Sequence, residues 1–168
     1  MAQPFIVTAE LPRDLLAWAD ALRRAHFPPE RNHLSAHVTL FHAFAPSLRE
    51  ELLGMLGNVA ATHPPPSARL DGLMDLGRGT ALAIRSEGML AIRGSIAEHF
   101  HGALTAQDAH PPRLHITIQN KVLPEEAKSL QHELADLSPR DFAFTGLALH
   151  LYCNPRWERV KAWPFRGR

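Results

Sequence analysis

The chain has 168 residues, 45% of them hydrophobic and 21% charged, with a formal net charge of +1 when its histidines are neutral. That length suits about one domain with a real core, and the composition is that of a folded globular protein. So small a net charge argues against a surface that coats duplex DNA, which needs many phosphate-neutralising cations, and no run approaches the roughly 20 apolar residues that cross a bilayer.

The opening MAQPFIVTAELPRD lacks a basic segment followed by a long apolar core, so it reads as mature protein rather than as a signal peptide. The single cysteine, Cys153, excludes an intramolecular disulfide and a multi-cysteine zinc site. A cytoplasmic monomer without membrane contact is expected.

In chain order, Pro4–Leu11 reads as an apolar, β-branched strand. Arg13–Ala25 carries Leu15, Leu16, Trp18, Ala19 and Leu22 at helical spacing. Asp14 stands in the first turn and Phe27-Pro28-Pro29 ends the helix. Ala36–Phe44 is a second strand. A helix over Ser47–Ala61 follows, with Ser47 as N-cap and Glu50 three residues on, the spacing of a capping box.

After His63-Pro64-Pro65-Pro66, the segments Ala68–Leu76 and Thr80–Arg85 form a hairpin around Gly77-Arg78-Gly79. Ser86–Leu104 has helical spacing. Arg113–Val122 is a strand and Pro124–Leu137 a helix with proline in its first turn. Phe142–Cys153 and Trp157–Phe165 close the chain as a hairpin around Asn154-Pro155. The order β-α-β-α-β-β-α-β-α-β-β, without a linker, predicts an α+β fold with mostly antiparallel sheets.

Eleven histidines are the unusual feature of the composition. Two stand in matching strands, Ala36-His37-Val38-Thr39-Leu40 and Leu114-His115-Ile116-Thr117-Ile118. They lie 78 residues apart (37 to 115), each after a proline-containing segment. A His-[VIL]-Thr-[VIL] match is expected about 0.02 times in a chain of this composition. Two matches in corresponding places point to one supersecondary unit used twice.

In a strand, residues i and i+2 share a face, roughly 6–7 Å apart. His37 and Thr39 therefore project together, as do His115 and Thr117, while their aliphatic neighbours face the core. A neutral imidazole can take a proton from an attacking oxygen, and an imidazolium can give one to a leaving oxygen. Threonine hydroxyls can donate to the non-bridging oxygens of a phosphate. Protons moved in this way require no metal and no other cofactor.

With these two motifs the sequence resembles the two-histidine phosphoesterase superfamily, in its 2′-5′ RNA ligase-like, RNA 2′,3′-cyclic phosphodiesterase branch. The likeness extends to the opening FIVTAELP, to HVTLFHAF and to the closing LALHLYCNPRWERVKAWPF, so it covers nearly the whole chain. It implies a bilobal, duplicated α+β fold over residues 1–168, with one motif from each lobe at a central cleft. It further implies action on 2′,3′-cyclic phosphate or 2′-5′ linkages of RNA ends or small nucleotides, with His37 and His115 as acid–base pair, Thr39 and Thr117 on the phosphate, and no metal. Two readings compete: a non-catalytic nucleotide- or RNA-binding module on the same fold, and a metal-dependent hydrolase using several of the histidines.

Further candidates follow from strand parity. Arg113 and Gln119 share the face of His115, and Phe41 shares that of His37. These three, with Tyr152, the lone tyrosine, are candidate substrate contacts, Arg113 for phosphate and Phe41 for base stacking. His42 has the opposite parity and reads as structural or exposed. His99 and His101, two apart on a helix, point apart and do not chelate well together. Trp157, beside Arg156, reads as a hairpin residue covering the sheet. No Arg/Lys-rich loop stands out, which favours a small substrate or an RNA end over extended RNA.

Overall fold

A computed structural model describes residues 3–168. These form four α-helices and two four-stranded sheets in which every pairing is antiparallel. In chain order they are β1 (Phe5–Glu10), α1 (Arg13–His26), β2 (Val38–Phe44), α2 (Arg49–Thr62), β3 (Ser67–Asp75), β4 (Thr80–Arg85), α3 (Glu87–His99), β5 (His115–Gln119), α4 (Pro124–Glu133), β6 (Arg140–Ala143), β7 (Gly146–Cys153) and β8 (Arg156–Pro164). One sheet has the order β2-β1-β7-β8 and the other β5-β4-β3-β6.

The duplication is visible in that order. β1-α1-β2-α2 and β4-α3-β5-α4 repeat the same path, and each His-Thr motif borders the edge strand of its own sheet. The edge strands β2 and β5 touch each other, so the two motifs meet at the seam between the sheets. Helix α2 packs behind β7 and β8, whereas α3 and α4 pack behind the second sheet. Helix α1 departs from this scheme by crossing the seam to pack against β5. No helix among the described residues is long and apolar enough to cross a membrane.

Several boundaries differ from the sequence expectation, most of them by one or two residues. Pro46 starts a short 3-10 turn over Pro46–Leu48 that absorbs Ser47, so α2 begins at Arg49 with no side-chain cap. Ser86 instead caps α3, its hydroxyl accepting from the Met89 N–H at 3.1 Å. That helix stops at His99, and α4 stops at Glu133. The expected strand over residues 113–122 shrinks to β5, ended by Lys121 at φ 60°.

The largest correction is the segment over residues 142–153. It is two strands in two sheets, with β6 in one and β7 in the other, and the chain crosses the seam at the buried Phe144. Gly146 permits the crossing, because a Cβ there would lie 2.3 Å from the Trp163 carbonyl oxygen.

Candidate functional site

β2 contains the irregularity that shapes the site. Across β1, Thr8 faces Thr39 and Val7 faces Phe41, which leaves Leu40 as an extra residue. This is a β-bulge, and it shifts the side-chain alternation after Thr39. Leu40 and Phe41 are consecutive and both buried. Phe41 is therefore a core residue with the Arg93 guanidinium 4.1 Å above its ring, not the stacking surface expected from parity.

His37 stands one residue before β2 and His115 opens β5. Each ring makes the same local bond. His37 Nδ1 lies 2.8 Å from the Ser35 carbonyl oxygen, and His115 Nδ1 lies 2.6 Å from that of Arg113. A carbonyl only accepts, so each Nδ1 carries the proton in these bonds. The Nε2 of each ring is left without a protein partner among the described residues. A cleft of ≈ 590 Å³ is lined by His37, Thr39, His115 and Thr117 together. The four motif residues thus converge on one cavity across the seam.

The two halves are braced at this point. Arg23 of α1, only 3% exposed, donates from Nη1 to the Thr117 carbonyl at 2.7 Å, and its Nε and Nη2 share the Asn32 side-chain oxygen. Arg93 of α3, equally buried, donates from Nε to the Leu40 carbonyl at 3.1 Å. Each half sends one arginine to the backbone of the other half's motif strand.

Sequence reasoning missed His150 and misplaced Trp157. Trp157 packs its ring 4.6 Å from His37 and 5.5 Å from His150, and it lines the cleft. The hydroxyl of Thr8 and Nε2 of His150 are 2.9 Å apart. Burial lowers the His37 pKa from its ordinary 6.5 to about 4; the bond to Ser35 opposes this, and Arg23, His150 and His115 reinforce it. Burial, then Arg159, lowers His150 to about 4 as well. The tryptophan had no sequence signal beyond its place beside a turn. His150 lies on β7, brought beside Thr8 only by sheet pairing.

Of the candidate contacts, Arg113 is exposed and lines the cleft. Tyr152 lies in an adjoining groove that also holds Arg31, Lys121, Thr117 and Trp157, and its hydroxyl donates to Asn154 at 3.0 Å. Gln119 is not a contact: it is buried and accepts from the Thr80 hydroxyl at 3.0 Å, under α4. His99 pairs with Glu51 at 3.0 Å. Among the described residues, no group of three or more His, Cys, Asp or Glu is placed to hold a metal ion.

A model of the 2′-5′ RNA ligase superfamily matches residues 11–155. The chain belongs to that superfamily. No curated protein matches its sequence. Among solved structures it is similar to TT0787 of Thermus thermophilus, with a TM-score of 0.70 at 16% identity over 98% of this chain and 99% of that one.

E. coli LigT complexed with 3′-AMP gives a TM-score of 0.64 at 20% identity, over 98% and 99%. Usb1 of Kluyveromyces marxianus gives 0.51 at 16%, over 95% and 97%. At these identities the solved structures speak for the two-sheet fold. Superfamily membership adds phosphodiester chemistry as the class of function.

Proposed function

We propose that the protein is a phosphodiesterase acting on 2′,3′-cyclic phosphate or 2′-5′ linkages of RNA ends or small nucleotides. The observation that carries this reading is the matched pair of rings. Each is fixed through Nδ1 to the carbonyl two residues earlier, and each offers Nε2 to the cleft that Thr39 and Thr117 also line. A non-catalytic binding site has no need of two acid–base groups in equivalent tautomers. E. coli LigT, a protein of the same fold, is complexed with 3′-AMP in its crystal, which supports a nucleotide as the kind of ligand.

His37 is the base. Its lowered pKa keeps the imidazole neutral throughout the physiological range. For a cyclic phosphate, Nε2 of His37 takes a proton from water as the water oxygen bonds to phosphorus. The bond from phosphorus to one ribose oxygen breaks on the opposite side, and that oxygen takes a proton from Nε2 of His115. The Thr39 and Thr117 hydroxyls donate to the non-bridging oxygens, where charge builds in the transition state. Both proton transfers use groups of the chain, so the reaction proceeds without metal.

The test is hydrolysis of a 2′,3′-cyclic nucleotide and of a 2′-5′ dinucleotide in EDTA. Turnover by the native chain, with loss of at least about 10²-fold in His37→Ala and in His115→Ala, is the expected result. Turnover only on adding metal overturns the metal-free route. Tight nucleotide binding without turnover of either substrate overturns the enzyme reading in favour of a binding module.

A further inference from the structure

Simple alternation along β2 turns His42 away from His37. The bulge reverses this, because Leu40 and Phe41 both enter the core and His42 emerges on the side of Thr39. Its side chain is 46% exposed and lines the same cleft as the two motif histidines.

Asp108, whose side chain is 1% exposed, fixes it there. The carboxylate accepts from the backbone N–H groups of His42 and Ala43, each at 2.9 Å, and lies 3.2 Å from His42 Nδ1. Burial works to raise the Asp108 pKa, but the bonds from the His42 ring and from those N–H groups outweigh it and hold the carboxyl below its ordinary value. A carboxylate on Nδ1 orients the ring and leaves Nε2 free for a ligand. Asp108 is itself held, since Arg93 donates to its carbonyl and its own N–H donates to the Thr105 hydroxyl at 3.2 Å.

The charge around His42 favours an anion. Arg113 lines the same cleft, is exposed, and forms no ion pair among the described residues. Arg93, Arg113 and one carboxylate, Asp108, line this cleft, so its fixed charges balance to positive. His42 stands three residues from Thr39, about 10 Å of extended chain before the bulge shortens it. That is the reach of a neighbouring phosphate on the same nucleotide strand.

We propose that His42, oriented by Asp108 and assisted by Arg113, forms a second phosphate subsite beside the one where Thr39 and Thr117 hold the reacting phosphate. Its ligand is a further phosphate group of the substrate, either the 5′-phosphate of a nucleotide or the linkage to a preceding nucleotide. The subsite rests on the reading of the cleft as a phosphodiesterase site.

The experiment compares three substrates: adenosine 2′,3′-cyclic phosphate, its 5′-phosphorylated form, and a dinucleotide ending in the same cyclic phosphate. The native chain is expected to show a KM about 10- to 100-fold lower for one or both of the doubly phosphorylated substrates, the effect of a charge-assisted hydrogen bond. Which of the two gains identifies the source of the phosphate. His42→Ala and Arg113→Ala each raise that KM toward the value for the cyclic monophosphate, with the change in KM rather than kcat. His42→Gln, which puts an amide donor near the position of Nε2, retains part of the preference.

Equal KM values for all three substrates in the native chain overturn the subsite while leaving the phosphodiesterase reading intact. A fall in kcat by the same factor for all three in His42→Ala also overturns it. If none of the three is turned over, action on cyclic phosphates fails, the 2′-5′ dinucleotide decides the rest of the phosphodiesterase reading, and calorimetric binding of adenosine 3′,5′-bisphosphate against 3′-AMP decides the subsite. Tighter binding of the bisphosphate that His42→Ala abolishes sustains it, and equal binding overturns it.

Discussion

The guanidinium of Arg23 donates to the carbonyl oxygen of Thr117, 94 residues away and in the other sheet, at 2.7 Å. Thr117 is itself a motif residue, so a helix of one half holds the backbone of the other half's motif threonine. Arg93 makes the reciprocal bond to Leu40, inside the first motif. A seam between two edge strands would otherwise leave these carbonyls unpaired in a buried place, at a cost of about 1–3 kcal/mol each. The two arginines join the sheets at the positions where the separation of the two histidines is set.

Arg23→Lys is expected to lower kcat by roughly tenfold or more and to destabilise the fold by about 2–4 kcal/mol. A lysine ammonium is a point charge that cannot bond the Thr117 carbonyl and the Asn32 oxygen in one planar fork. Denaturant midpoints and steady-state kinetics check this, and native values of both overturn the bracing role.

Thr39→Val and Thr117→Val keep side-chain volume and remove one hydroxyl. Neither hydroxyl has a protein partner among the described residues, so stability should change by less than about 1 kcal/mol. Turnover should fall by about 10- to 100-fold for each, the worth of one hydrogen bond to a charged group. A native rate in both variants removes the threonines from the phosphate site.

Activity should extend well into acid. A base must be neutral, and burial first of all lowers His37 to about 4. The acid limb of kcat/KM is therefore expected near pH 4 rather than near 6.5. Trp157→Ala lets water reach His37 and should move the acid limb upward toward 6.5. An acid limb near 6.5 in the native chain, or one that ignores Trp157, contradicts the assignment of His37 as base.

The same shifts bear on stability. His37 and His150 are depressed to about 4 in the fold and titrate near 6.5 when unfolded. Their contribution is present above pH 6.5 and is lost as pH falls through about 4, because the unfolded chain binds the protons more readily. The expected loss between about pH 7 and 4 is roughly 2–4 kcal/mol, discounted because both rings retain some contact with water. Unfolding by urea at a series of pH values measures it, and His150→Gln should remove about half of the slope.

Pattern alone located the main elements and the four motif residues, because the relevant periods are local. The run of Leu15, Leu16, Ala19 and Leu22 sets α1, and the alternation in His-Ile-Thr-Ile sets the faces of β5 whatever surrounds it. The duplication was legible for the same reason, since both copies kept the same short pattern.

Contacts between distant segments settled the rest. The bulge at Leu40 arises from pairing with β1; it sends Phe41 into the core and His42 into the cleft, and no count along the strand reveals it. The chain between Ala143 and Gly146 changes sheets, dividing what the apolar pattern ran together as one strand. Arg23, Arg93, Asp108 and Trp157 acquire their roles from partners tens of residues away. Local order along the chain therefore singles out His37, Thr39, His115 and Thr117, because strand parity is a property of neighbours. What braces, buries and orients those four belongs to the folded molecule, because the contacts form between segments that share no local pattern.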